Sequence, residues 1–240
     1  MNAGRGAVIS ERARPAVELV TLNRPERLNA IDVSLLDGLY TALARIAHDE
    51  TCAAVVLTGA GRGFCAGLDL KGIGPSPVSA GLDGPAAGMR GQAYFGDAVA
   101  TLRRLPQPVV AAVNGPAYGG GLALANACDI RVAARSARFS TQAIRVGMSG
   151  GEMGTTYLLP RLVGAARAHE LILTARDFTP EEAERIGLVS RVVADDALVT
   201  EALDLAEVVA RRGRPACVRA KHLVRANLDT PDLATALAPR

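Results

Sequence analysis

The chain has 240 residues, 49% of them hydrophobic and 21% charged, enough to bury a full core in one domain with a small helical addition. Its net charge of +3 and 3% aromatic content supply neither the basic stripe nor the stacking residues of a nucleic-acid binder. No apolar run approaches the roughly 20 residues that span a bilayer, so neither nucleic acid nor membrane is an expected partner.

In chain order, Met1 to Pro15 carries scattered charges without an apolar core, so it reads as neither a signal peptide nor an anchor. Val17 to Leu22 alternates as a half-buried strand, and Asn23-Arg-Pro-Glu-Arg27 breaks it. Leu35, Leu36, Leu39, Leu43 and Ile46 then fall at helical spacing. Ala53 to Thr58 and Val109 to Val113 are apolar on both faces, the pattern of buried parallel strands. Each leads into a glycine-bearing turn, Gly61-Arg-Gly-Phe-Cys-Ala-Gly-Leu-Asp-Leu70 and Asn114-Gly-Pro-Ala-Tyr-Gly-Gly-Gly-Leu-Ala123. Clefts of α/β proteins open at strand C-terminal ends, where two such turns present backbone N–H groups to one developing negative charge. Gly72 to Gly88 reads as a loop, and Gly91 to Leu105 as a helix stopped by Pro106 and Pro108. Beyond Gly154 the pattern is helical, at 165–174, 180–186, 197–210 and 215–226, with a short strand over Leu188–Val193. Cys52, Cys65, Cys128 and Cys217 form no CxxC pair and read as thiols of a reducing cytoplasm. Arg24, Arg27 and Arg62 lie near the turns, where cations attract a phosphate-bearing substrate.

Two short motifs point elsewhere. Gly61 to Ala66 fits the dinucleotide-binding GxGxxA pattern, but glycines and prolines follow where its helix should run, and Asp83 falls in the loop. Gly147-Met-Ser-Gly-Gly151 fits the GxSxG elbow of a serine hydrolase, with Ser149 followed by Asp195, Asp196 or Asp204 and then His222. Ser140, Thr141, Gln142 and Arg145 make the preceding segment too polar for the strand an elbow needs. His48, His169 and His222 lack metal spacing, and no metal site is expected.

From Val17 to Ala226 the chain resembles the crotonase (enoyl-CoA hydratase/isomerase) superfamily. The resemblance is carried by Leu22-Asn-Arg-Pro-Glu-Arg-Leu-Asn-Ala30, the first turn through Asp69, and Val113-Asn-Gly-Pro-Ala-Tyr-Gly-Gly-Gly with Cys128-Asp-Ile-Arg. Leu159-Pro-Arg-Leu-Val-Gly164 and Ala183-Glu-Arg-Ile-Gly-Leu-Val189 extend it. It implies an α/β fold with a ββα spiral core that binds acyl-CoA over residues 1–164. It also implies a C-terminal helical assembly region over 165–240, shortened relative to the family. The substrate would be a coenzyme A thioester, with no separate cofactor, in a cytoplasmic homotrimer or dimer of trimers. Leu171, Ile172, Leu188, Val189 and Val193 are the expected apolar contacts of that assembly.

Carried over residue by residue, the family's oxyanion hole falls on the N–H groups of Ala66 and Gly120. Its coenzyme A contacts fall on Arg27, Leu28, Ala66, Gly67, Leu68, Asp69, Leu70 and Gly120, with Arg27 standing in for a lysine that the family often has at Glu26. The two hydratase glutamates are replaced by Ala123 and Ala143, and a methyl group can neither activate water nor supply a proton. Glu152, eight residues before Pro160, matches the single acid of some isomerases in the family. In an apolar pocket its pKa is expected to rise, unless it merely caps a helix starting at Gly150. Tyr118 and Gln142 are further candidates to face the acyl chain, and Asp129 is expected to orient a strand start. The implied activity is isomerase-like, on a thioester enolate; the alternatives are a non-catalytic acyl-CoA-binding homologue and the Ser149 hydrolase.

Overall fold

The computed structural model describes residues 6–72 and 84–237. The first two strands form a hairpin: β1 (Val8–Arg14) runs antiparallel to β2 (Val17–Leu22), with Val8 opposite Leu22. Val8–Arg14, within the segment read from its sequence as lacking an apolar core, is thus an edge strand. Ladder hydrogen bonds rather than a buried face hold it, which is why side-chain periodicity does not reveal it. From β2 the sheet continues in parallel through β3 (Ala54–Gly59), β4 (Val109–Val113), β6 (Ile130–Ala134) and β8 (Arg191–Val193). Every residue of β3 and β4 is buried, as their two-sided apolar character requires.

A second, shorter ladder stacks beside this sheet. It comprises the parallel bridges Ile31–Leu68 and Cys65–Ala117 and the parallel pair β5 (Pro116–Tyr118) and β7 (Arg138–Ser140). Each pass of the chain gives one strand to the large sheet, one short segment to the small ladder, and a helix. The helices are α1 (Val33–His48), α2 (Gly84–Arg104), α3 (Gly120–Ala127) and α4 (Thr155–Val163). This is the ββα spiral. Asp32 caps α1 by accepting the Leu35 N–H at 2.8 Å, and the buried face of α1 carries the predicted Leu35, Leu36, Leu39, Leu43 and Ile46. Helix α2 begins at Gly84 rather than Gly91, because a proline in a first turn costs no intrahelical hydrogen bond. The rest of the expected loop, residues 73–83, lies outside the described residues, as do Asp83 and Pro239-Arg240.

After α4 come α5 (Ala165–Thr174), α6 (Pro180–Arg185), α7 (Leu198–Arg211), α8 (Arg214–Asn227) and α9 (Leu233–Leu237). A boundary at 164/165 does not separate two packing units. Strand β8 joins the large sheet, and α7 lays Leu198, Ala202 and Ala206 against Val17, Val56, Val110 and Val132 on the face opposite α1. Strand β8 is also shorter than the Leu188–Val193 expected, because the Leu188 and Val189 N–H groups both turn back onto the Ala183 carbonyl to close α6. Leu171, Leu188 and Val189 are buried in this chain's own core and are therefore unavailable as assembly surface. The exposed large apolar side chains among the described residues of the C-terminal region are instead Leu173, Val208, Val224, Leu228, Leu233 and Leu237.

Candidate active site

Two asparagines of the motifs staple the first glycine turn. The Asn29 amide donates to the Gly63 and Ala60 carbonyls at 2.7 and 3.0 Å, and Asn114 donates to Gly59 and Gly61 at 2.8 and 2.9 Å. Neither role is readable from spacing, since the partners lie 31 to 55 residues away. The two turns then meet backbone to backbone. A Cβ on Gly121 would stand 2.0 Å from the Cys65 carbonyl oxygen, and one on Gly67 2.8 Å from the Tyr118 carbonyl and 3.4 Å from the Gly120 nitrogen. Only glycine permits that approach.

Gly120 opens α3, where a first-turn N–H has no intrahelical acceptor. Ala66 does not share that freedom: its N–H donates to the Leu28 carbonyl at 3.0 Å, so the expected pairing of Ala66 with Gly120 as oxyanion donors is corrected. Gly67, at φ +92°, turns the backbone immediately afterwards. Ile31 N–H donates to Gly67 O at 2.7 Å, and Asp69 N–H to Ile31 O at 2.9 Å. The Leu68 N–H between them has no hydrogen-bond partner among the described residues, and Leu68 lines the cavity.

That cavity, of about 130 Å³, has Ala66, Gly67, Leu68, Leu70 and Gly120 along one wall. Gln142, Ala143, Val146, Met148, Glu152 and Met153 also line it, with Met153 Sδ against Gly120. Of the expected residues, Ala66, Gly67, Leu68, Leu70, Gly120 and Glu152 come together here. Arg27 is exposed and off the wall, and Leu28 contributes its carbonyl to Ala66 instead. Asp69 is buried: its carboxylate accepts Arg24 Nη2 at 3.1 Å, and the same nitrogen pairs with Asp32 at 3.1 Å. Burial pushes the Asp69 carboxyl up, but the Arg24 hydrogen bond and charge outweigh it and leave the pKa below its ordinary value. Arg24, spent on two carboxylates, is a brace rather than a phosphate hook. Tyr118 points its hydroxyl to Asp177 at 3.4 Å and is absent from the cavity wall, whereas Gln142 is on it, at φ +56°.

Glu152 sits in the turn before α4, which starts at Thr155 after Gly154 at φ +71°. It therefore caps no helix. Its Oε1 accepts the Ser149 N–H at 3.0 Å and the Ser149 hydroxyl at 2.9 Å. Burial raises its pKa, but hydrogen bonds from its own N–H, from Ser149 and from Gly150 prevail, and the net shift is downward. The expected rise is thereby corrected. Glu152 is the one ionisable side chain lining the cavity among the described residues. Ala143 lies on the wall, while Ala123 is fully buried in α3.

The rival motifs do not assemble. After Ala66 the chain enters the short ladder, not a dinucleotide-binding helix. Ser149 follows a 3-10 turn (Ala143–Val146) rather than a strand, and His222 lines a separate groove with Arg103, Lys221 and Arg225. Asp129 accepts the Val109 N–H at 2.8 Å, the strand-orienting role expected of it. His48, His169 and His222 lie on α1, α5 and α8, and no group of three or more metal-ligating side chains occurs among the described residues.

A spiral of ββα passes whose glycine turns meet over an apolar cavity defines a crotonase-fold protein. The sequence profile described as "Enoyl-CoA hydratase/isomerase" matches residues 12–240, and the chain belongs to that family. It is 46% identical over 226 residues to "Probable enoyl-CoA hydratase EchA12" of Mycobacterium tuberculosis, covering 94% of this chain and 79% of that protein. With the 1,2-epoxyphenylacetyl-CoA isomerase of Escherichia coli it shares 39% identity over 202 residues, 84% of this chain and 76% of the relative. Among solved structures, a "probable enoyl-CoA hydratase/isomerase" from Mycobacterium abscessus superposes with a TM-score of 0.89 at 43% identity, covering 96% of this chain and 86% of that one. The chain is thus an enzyme of the acyl-CoA-processing hydratase/isomerase class, for which the coenzyme A thioester is substrate.

Proposed function

We propose that this protein is an acyl-CoA isomerase in which the N–H groups of Leu68 and Gly120 hold the thioester oxygen and Glu152 carries the proton. One observation supports this above all: alanines stand at both hydratase glutamate positions, and among the described residues Glu152 is the one ionisable side chain on the cavity wall. Its carboxylate takes a proton from one carbon of the acyl chain. The C–H electron pair moves into the thioester, charge collects on the carbonyl oxygen, and the proton returns to another carbon. Each preorganised donor on such an oxygen is typically worth about 3–4 kcal/mol. Leu68 rather than Ala66 is the second donor because its N–H has no hydrogen-bond partner among the described residues, whereas that of Ala66 donates to Leu28. Gly67, Leu70, Met148 and Met153 supply a small-residue and apolar wall for the pantetheine and acyl groups.

The deciding experiment is Glu152→Gln, which keeps size but removes the base. Isomerisation of a 3-enoyl- or dienoyl-CoA should fall by about 10²–10⁴ with KM little changed. Unchanged turnover would remove Glu152 from the reaction, and acyl-CoA binding without turnover by the unmodified protein would leave the non-catalytic binding reading in its place. Assembly as a homotrimer or dimer of trimers in the cytoplasm belongs to the same proposal, with the exposed apolar side chains of α8 and α9 as its contacts. Light scattering at micromolar concentration tests it, and a stable monomer would refute it.

A further inference from the structure

We propose that Ser149 is a positioning residue that fixes the Glu152 carboxylate in its proton-accepting form and leaves Oε2 turned to the substrate; this rests on the reading of Glu152 as the proton carrier. Hydrogen-bond bookkeeping around the hydroxyl carries the inference. Ser149 Oγ accepts the Gly151 N–H at 3.0 Å, which occupies a lone pair and orients the hydroxyl. Its proton then goes to Glu152 Oε1 at 2.9 Å, beside the Ser149 N–H on the same oxygen at 3.0 Å. Two donors from one residue therefore converge on one carboxylate oxygen, and neither is a cation. A carboxylate held by neutral donors is favoured as an ion, yet meets no fixed countercharge that would compete with an incoming proton.

Among the described residues no cationic side chain lines the cavity. On the neighbouring 3-10 turn, Arg145 pairs with Asp177 at 3.7 Å. Helix α2 meets the Glu152 carbonyl at Gly96; its Tyr94 donates to Asp37, and Asp97 is the flanking acid. On α4, Tyr157 and Arg161 both engage Asp229 at 3.1 Å. The serine of the hydrolase-like motif thus serves a carboxylate, not a histidine.

The test compares Ser149→Ala, Ser149→Thr and Glu152→Gln in the intact enzyme on one enoyl-CoA isomer. Ser149→Ala should move the acid limb of kcat/KM to higher pH and lower kcat about tenfold or more, the usual size of a hydrogen bond to a charged group. KM and melting temperature should stay near wild type, and Ser149→Thr, which keeps a hydroxyl, should restore both the limb and kcat. A carbon-13 NMR titration of the Glu152 carboxyl in wild type and Ser149→Ala provides a readout without substrate, and an upward shift is expected. An unchanged acid limb and unchanged carboxyl titration in Ser149→Ala would overturn the role of Ser149. Full turnover by Glu152→Gln would instead overturn the reading of Glu152 itself.

Discussion

Two carboxylates, Asp129 and Glu152, are both held by several donors, and the nature of the donors separates their roles. Asp129 precedes β6 and accepts Lys221 Nζ at 2.8 Å, Arg225 Nη2 at 2.6 Å and the Val109 N–H at 2.8 Å. Among the described residues Glu152 accepts only neutral N–H and O–H groups, at the wall of an apolar cavity. Cations bonded to Asp129 keep its charge permanently matched, so the cluster ties α8 to the start of β4 and β6. Burial lowers the Lys221 pKa, and the charge and hydrogen bond of Asp129 work against that fall. Dipoles around Glu152 favour the ion without cancelling it. A carboxylate of the first kind is a fastener, and one of the second kind can exchange a proton.

The largest effect that bears on this contrast is catalytic. With Ala123 and Ala143 in place of two carboxylates, hydration of a short trans-2-enoyl-CoA should run at least about 10³ below that of a relative with both glutamates. A coupled assay of 3-hydroxyacyl-CoA formation measures it. Robust hydration would mean that Glu152 alone activates water and would break the distinction drawn for this pocket.

Next in size is a stability difference. Asp129→Asn leaves the Lys221 ammonium, whose side chain is only 7% exposed, with the neutral Gln107 carbonyl at 2.7 Å in place of a countercharge, and should cost about 3 kcal/mol in urea unfolding. Glu152→Gln should cost no more than about 1 kcal/mol. Equal losses in the two variants would erase the distinction between fastener and proton carrier.

The smallest effect is on acid stability. Asp49, Asp69, Glu152, Glu170, Glu182, Asp195 and Asp229 all have folded pKa values below their ordinary ones, from hydrogen bonds and cationic neighbours. The unfolded chain then binds more protons through the carboxylate range, so stability rises with pH there. This contribution is complete above the ordinary carboxylate pKa values of roughly 4 and is lost as pH falls through the depressed folded values. Unfolding midpoints should be level between about pH 5 and 7 and drop below about pH 4. A midpoint that rose on acidification would contradict the direction assigned to these groups.

Much of the site's location is legible in the chain because it depends on local pattern. Two-sided apolar runs become β3 and β4, and the glycines at 67, 120 and 121 mark the turns that touch. The periodicity of Leu35 to Ile46 gives α1, and the alanines at 123 and 143 speak directly to chemistry. Strand β1 is not legible in this way, since its stability comes from ladder bonds to β2 rather than from a face of its own. The apolar residues expected at an assembly surface were equally ambiguous. A leucine signals burial without saying against what, and Leu171 and Leu188 turn inward here.

By itself, then, the sequence determined the two buried parallel strands and the glycine turns at their ends, and its family resemblance implied the ββα order and alanines at the two positions where hydratases carry glutamates. Tertiary structure decided which N–H groups and which charges are free. Ala66 donates to Leu28, 38 residues earlier in the chain, and the turn at Gly67 presents Leu68 instead. Arg24, legible only as a cation near a turn, is consumed by Asp32 and Asp69. Glu152 lies below its ordinary pKa, not above it, because the hydrogen bonds of one turn outweigh the desolvation of an apolar wall. Residue type sets what a group can do, but the availability of a donor or a charge depends on its partners, and those are brought together only when the chain closes on itself.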